Sequence, residues 1–230
     1  MTKSNALKTL TVCVALLGAM ASPLRAQTPP TGEPSEADRG AQASDERRAT
    51  RPDDPVEAVM KSGDATTTLG RARLRDNLYA LLATAESDER AKQIAARIEQ
   101  LWRTPGSDTV RLLIQRASAA VEKTQTDRAL KLLDAATEIA PDYAEVWHQR
   151  AVVHYQLGDL RAAAGDLRRV LALDQNHFKA LHGLAAIMEQ TGQDRAALDA
   201  YERLLEVHPF WEGAEKSVEE LREKIRGRGI

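Results

Sequence analysis

The chain of 230 residues has one cysteine, Cys13, which excludes a disulfide scaffold and a thiolate zinc cluster. It is poor in aromatics, at 4%, and all of them lie between Tyr79 and Trp211, which delimits the part able to form a packed body. It is also poor in β-branched aliphatics: Val and Ile together number 19, against 65 for Ala and Leu. Ala and Leu favour helix and β-branched residues favour strand, so the balance predicts an all-α protein. No charge sign dominates: 32 basic residues face 34 acidic ones, which removes any sequence-wide attraction for nucleic acid. There is no G-x-S-x-G, no H-E-x-x-H and no phosphate-binding glycine loop, so no catalytic residue and no cofactor is assigned and no enzyme is expected.

Long apolar runs are absent but for Leu10 to Ala21. This run is shorter than the roughly 20 residues needed to span a bilayer, which argues against a membrane anchor. Lys3 and Lys8 precede it, no acidic residue occurs before Glu33, and Pro23 stands just before Leu24-Arg25-Ala26. A basic start, a short apolar segment and small residues at the cut predict a secretory signal peptide over 1–26, cleaved after Ala26 or alternatively after Ala21. The residues before Cys13 do not suit lipoprotein processing. Removal of 1–26 would leave 29 basic and 34 acidic residues, a net charge of −5, and no cysteine. The expected product is periplasmic or secreted, without stable membrane insertion after cleavage.

From Gln27 the composition changes. Pro29, Pro30, Pro34, Pro52 and Pro55 lie among Ser, Thr, Gly and charged residues, and the large aliphatics before Gly70 are Val56, Val59, Met60 and Leu69. Such a stretch buries too little apolar surface to offset chain entropy, so 27–73 is expected to be a disordered linker.

Beyond it the sequence repeats with a period of 34. Ala83, Ala117, Ala151 and Ala185 form one series; Ala95, Ala129, Ala163 and Ala197 form a second. Gly158 and Gly192 repeat in phase, and Pro141 and Pro209 lie two periods apart. Small residues at fixed places let two helices approach closely, glycine suits the left-handed end of a helix, and proline cannot continue one. Asp142-x-x-Glu145 offers a capping-box-like start for the helix that follows Pro141.

This pattern resembles the tetratricopeptide repeat (TPR), with its aromatic, small-residue and proline positions over 34 residues. Residues 144–177 give Trp147-x2-Arg150-Ala151-x2-His154, then Ala163-x3-Leu167 and Gln175. Residues 178–211 give Leu181-x2-Leu184-Ala185-x2-Met188, Ala197-x3-Tyr201 and Pro209, and 110–143 give Leu113-x2-Arg116-Ala117-x2-Ala120, Ala129-x3-Leu133 and Pro141. Arg116 and Arg150 replace the usual apolar residue, so each is expected to hold a partly buried ion pair. Residues 74–109 keep Tyr79, Leu82, Ala83 and Ala95 but lack the turn glycine; they form either a cryptic repeat or a plain helical hairpin packed in the same way. Ala214, Val218, Leu221 and Ile225 make one apolar stripe, predicting a capping helix over 212–226.

The resemblance implies a right-handed TPR-like helical-hairpin solenoid whose first helices line a concave, partner-binding groove. Carried over position by position, the groove residues are Arg111, Ile114, Ser118, Val121 and Glu122, then Glu145, His148, Val152, Tyr155 and Gln156, then Lys179, His182, Ala186, Glu189 and Gln190. Ile114, Ser118 and Gly183 stand where some TPR domains carry a carboxylate-clamping set, which disfavours that use. The five histidines show no H-x3-H pair on one helix and no carboxylate is expected at ligand spacing beside them, so no metal is assigned. His148 and His182 hold the same repeat position, and sharing one groove would make partner binding pH-sensitive. The expected role is an exported scaffold that binds a peptide or helix of an envelope or secretion partner, with a homo-oligomeric structural protein as the alternative.

Overall fold

A computed structural model describes residues 57–59, 67–104 and 106–227. The chain divides into two units, Met1–Ala58 and Val59–Ile230, and every helix named below belongs to the second. The expected signal peptide and most of the expected linker lie outside the described residues.

From Thr68 onward nine helices follow one another among the described residues: α1 Thr68–Ala83, α2 Asp88–Trp102, α3 Asp108–Glu122, α4 Thr126–Ile139, α5 Ala144–Gln156, α6 Leu160–Leu173, α7 Phe178–Gln190, α8 Asp194–Val207 and α9 Ala214–Gly227. No strand occurs among them. Helices α3/α4, α5/α6 and α7/α8 pair as successive hairpins, each stacks on the next through α4–α5 and α6–α7, and α9 closes the array against α8. The unit is thus an all-α solenoid of helical hairpins with a C-terminal capping helix.

The periodic residues explain the stacking. Ala117, Ala151 and Ala185 are buried, as are Ala129, Ala163 and Ala197, and Leu167 and Tyr201 fill the space beside them. Gly158 and Gly192 end α5 and α7 with φ of +78° and +76°, the left-handed region where a Cβ is unfavourable. Gly183 serves a different purpose: a Cβ there would stand 3.2 Å from Leu167 Cδ1. In α9, Ala214, Val218 and Leu221 are buried and Ile225 is half-buried. Lys224 pairs with the buried Asp194 at 2.7 Å, fixing α9 to the start of α8.

Of the two arginines expected in ion pairs, one has that role. Arg150 grips Asp166 with two bonds, Nε at 2.8 Å and Nη2 at 2.7 Å, and reaches Asp134 at 2.9 Å, joining α5 to α6 and α4. Its guanidinium lies 4.7 Å from the centre of the Trp147 ring. Arg116 is exposed, because Leu132 occupies the place in its repeat that Asp166 holds in the next.

Three expectations are corrected. Helix α1 starts at Thr68, capped by the Thr67 hydroxyl on Gly70 N–H at 3.0 Å, so the linker does not extend to 73. Helix α1 is out of phase with the repeats, for Ala83 is exposed whereas its three counterparts are buried, while Ala95 in α2 is buried like Ala129, Ala163 and Ala197. The capping box at Asp142 does not form. Tyr143 is the cap residue and its side chain makes no capping bond, and Glu145 turns inward.

Candidate functional site

The first hairpin does not stack ahead of α3 as a further repeat. Outside its own pairing, α1 packs against α8, and α2 reaches the turns that join one repeat to the next. We call this edge, made of residues 140–143, 174–177 and the start of α7, the rim.

Asp174 anchors the contact. It is buried at the end of α6, and its Oδ2 accepts from Tyr79 OH at 2.8 Å and Trp102 Nε1 at 3.2 Å, with Arg75 Nε at 3.6 Å. Burial and the neighbouring Asp174 charge push the Tyr79 hydroxyl far above its ordinary range, so it remains a donor. Trp102 stacks flat on His177, with centroids 3.7 Å apart and planes 8° from parallel, and touches Phe178 at 4.6 Å. The Trp102 carbonyl accepts from Tyr143 OH. Glu99 Oε2 pairs with Lys179 Nζ at 2.7 Å, on the opening turn of α7.

This docking divides the expected groove. Lys179 is engaged by α2, and Glu145 and His148 are buried beneath the rim. Glu145 Oε2 lies 3.7 Å from His148 Nδ1 and 3.8 Å from His177 Nε2, while its Oε1 accepts from Gln149 at 2.5 Å. Burial alone would raise the Glu145 carboxyl; the two histidines outweigh it and hold the group well below the usual range. His182 is separate, with its ring 5.2 Å from Trp211 and 6.2 Å from Tyr201. His148 and His182 therefore do not share an open face, which removes the expected paired histidine switch.

Glu145, His148 and His177 place three ligand atoms within 4.8 Å of one another, a carboxylate three residues before a histidine that the sequence reading passed over. The trio does not suit a metal. His177 caps α7 by accepting Ala180 N–H on Nδ1 at 3.2 Å, so its ring proton sits on Nε2, facing Glu145. A metal-bound histidine needs the reverse, a bare nitrogen toward the ion and an N–H donated behind it.

The rest of the groove is open. Arg111, paired with Asp108, and Glu122 and Gln156 are exposed. Tyr155 OH meets Gln190 at 3.4 Å, joining α5 to α7, and Glu189 accepts from Tyr201 OH at 3.2 Å. Ile114, Val152 and Ala186 lie half-buried at the neighbouring groove positions. The second helix of each stack makes a periodic bond to the turn before its repeat that the sequence pattern did not reveal: Arg169 donates to Pro141 O at 3.2 Å, and one repeat later Arg203 donates to Gln175 O at 3.1 Å.

Comparison with known proteins agrees with this architecture. The tetratricopeptide repeat model matches residues 144–177. A TPR repeat-containing protein of Rhizobium etli is 38% identical over 152 residues, covering 66% of this chain and 74% of that protein. DnaJ homolog subfamily C member 3 of Rattus norvegicus is 27% identical over 106 residues, 41% of this chain and only 21% of its own length. Among solved structures, the first TPR of Spaghetti (RPAP3) bound to an HSP90 peptide SRMEEVD superposes with a TM-score of 0.50 at 19% identity, covering 52% of this chain and 95% of that one. With the repeat period, the buried small residues and the Rhizobium etli relative together, the chain belongs to the tetratricopeptide-repeat family.

Proposed function

We propose that this chain is an exported protein-protein interaction scaffold, which takes a peptide or helix of an envelope or secretion partner on the open part of its groove. One observation carries this reading. Helices α3, α5 and α7 present exposed polar groups of both signs, Arg111, Glu122, Gln156 and Gln190, beside half-buried Ile114, Val152 and Ala186. An apolar floor with a polar margin suits an extended or helical segment. Exposed side chains of this kind bind rather than transfer groups, so the reading assigns no reaction. Ile114, Ser118 and Gly183 give the face no cationic clamp for a chain-terminal carboxylate.

The test is photo-crosslinking in cells with a reactive residue at Gln156 or Gln190, and with a control on the opposite face at Arg168. Capture of the same protein from both groove positions, lost on reversing Glu122 and Glu189 to Lys, supports the reading. Equal capture from Arg168 moves the interface away from the groove. Cell fractionation with the native N-terminus, against a chain starting at Gln27, tests export: retention of both in the cytoplasm refutes it.

A further inference from the structure

The rim is a second interaction surface, different in chemistry from the open groove, and the chain covers it with its own helix pair. Its recognition groups are three. Lys179 receives a carboxylate, the His177 ring receives a flat aromatic, and buried Asp174 receives the indole N–H. Glu99 and Trp102 satisfy all three from adjacent turns of one helix, because residues three apart share a helix face. Nothing in the repeat pattern demands this cover. Asp174 has Ala140 and His208 as its counterparts in the other repeats, so the anchor is an addition to the array and not part of its stacking. The hairpin ends at Trp102 and α3 begins at Asp108, so a short connection joins them in the chain.

We propose that the α1–α2 hairpin is a displaceable ligand carried in the same chain, and that the rim accepts an amphipathic partner helix presenting an acidic residue and a tryptophan three positions later, of which Glu99-x-x-Trp102 is the resident copy. The proposal rests on the scaffold reading and adds a partner chemistry to it. While the hairpin is docked, Lys179 and His177 are closed to other chains; a partner helix of the same pattern opens them by replacing it.

The experiment uses the full chain. Hydrogen exchange is measured for Glu99→Lys, Lys179→Glu, the double exchange, and the milder Trp102→Phe, which keeps the stack on His177 but loses the bond to Asp174. Each single reversal is expected to speed exchange in 68–102 at least tenfold while α5–α8 keep their protection. The double exchange restores most of it, short of all because Arg103 also pairs with Glu99, at 2.8 Å. Trp102→Phe falls between. A fluorescent synthetic peptide of residues 67–104 is then the probe: it should bind the Glu99→Lys chain at least tenfold more tightly than the wild type, and should fail to bind the Lys179→Glu chain.

Exchange that changes in α5–α8 together with 68–102 in the reversals and in Trp102→Phe would show the hairpin to be an inseparable part of the fold and overturn the proposal. Peptide binding that is equal in wild type and Glu99→Lys would do so too. Groove crosslinks from Gln156 without any displacement leave the scaffold reading standing and sink this one; displacement without crosslinks does the opposite.

Discussion

Replacing Arg150 tests whether the second hairpin is held together by a charge that the repeat pattern does not require. Its side chain is 17% exposed, and Asp166 beneath it is 8% exposed. Arg150→Leu leaves that carboxylate buried with only His154 nearby, at 3.9 Å. Removing one partner of a buried pair costs about 3–5 kcal/mol, and the residual exposure puts this case near 3 kcal/mol. The link to Asp134, itself 55% exposed, adds less than about 1 kcal/mol. At about 2–4 °C per kcal/mol for a body of this size, thermal unfolding followed at 222 nm should fall by roughly 6–12 °C. The third repeat shows the remedy, for it has Leu184 and Ala200 at the places of Arg150 and Asp166. Arg150→Leu with Asp166→Ala removes the orphaned charge and should recover to within about 1 kcal/mol of the wild type. A single variant that loses less than about 1 kcal/mol, or a double variant no better than the single, would refute the reasoning.

Other outcomes follow from the same packing. Gly192→Ala, at φ +76°, should lower the urea-derived stability by about 1 kcal/mol, whereas Gly165→Ala, exposed within α6 with open space around its Cβ position, should raise it by up to about 1 kcal/mol. Ala117→Leu and Ala83→Leu change the same nominal repeat position, yet only the first should destabilise, by about 1–3 kcal/mol, because only Ala117 is buried; equal losses in thermal melts would put α1 back in phase with the repeats. Burial holds His177, His182 and His208 below their ordinary pKa, so below about pH 6.5 the unfolded chain binds more protons than the folded one. Stability is fully present above that pH and should fall as the solution is acidified towards pH 5; a urea midpoint that stays constant would contradict it.

The parts of this molecule that were legible in its sequence are those with a periodic cause. An alanine at the helix contacts of the three repeats, a left-handed turn after each first helix, with glycine at 158 and 192 and Thr124 at φ +56° in the first, and a polar-backed final helix follow from geometry that the 34-residue period exposes. Ala83 shows the limit. It sits in phase with Ala117, yet α1 ends at Ala83 and leaves it exposed, although Ala95 in α2 keeps the buried place of its counterparts. An alanine alone carries too little information to separate a contact position from a helical surface.

The site was legible only where it stayed inside one repeat. The open face at Arg111, Glu122 and Gln156 follows from helical position, since each helix decides by itself which residues point outward. The rim depends on partners 72 and 95 residues apart, Trp102 and Tyr79 meeting Asp174, and no local pattern joins them. One signal was nevertheless available. Tyr143, His177 and Trp211 end three successive repeats with a ring, in a chain with few aromatics. Trp102, the one tryptophan ahead of the repeats, covers His177 and accepts Tyr143 on its carbonyl, while Trp211 is left to Phe178, His182 and His208. The first hairpin and the ringed turns thus meet at the rim, where Trp102 at the end of α2 lies against Tyr143 and His177.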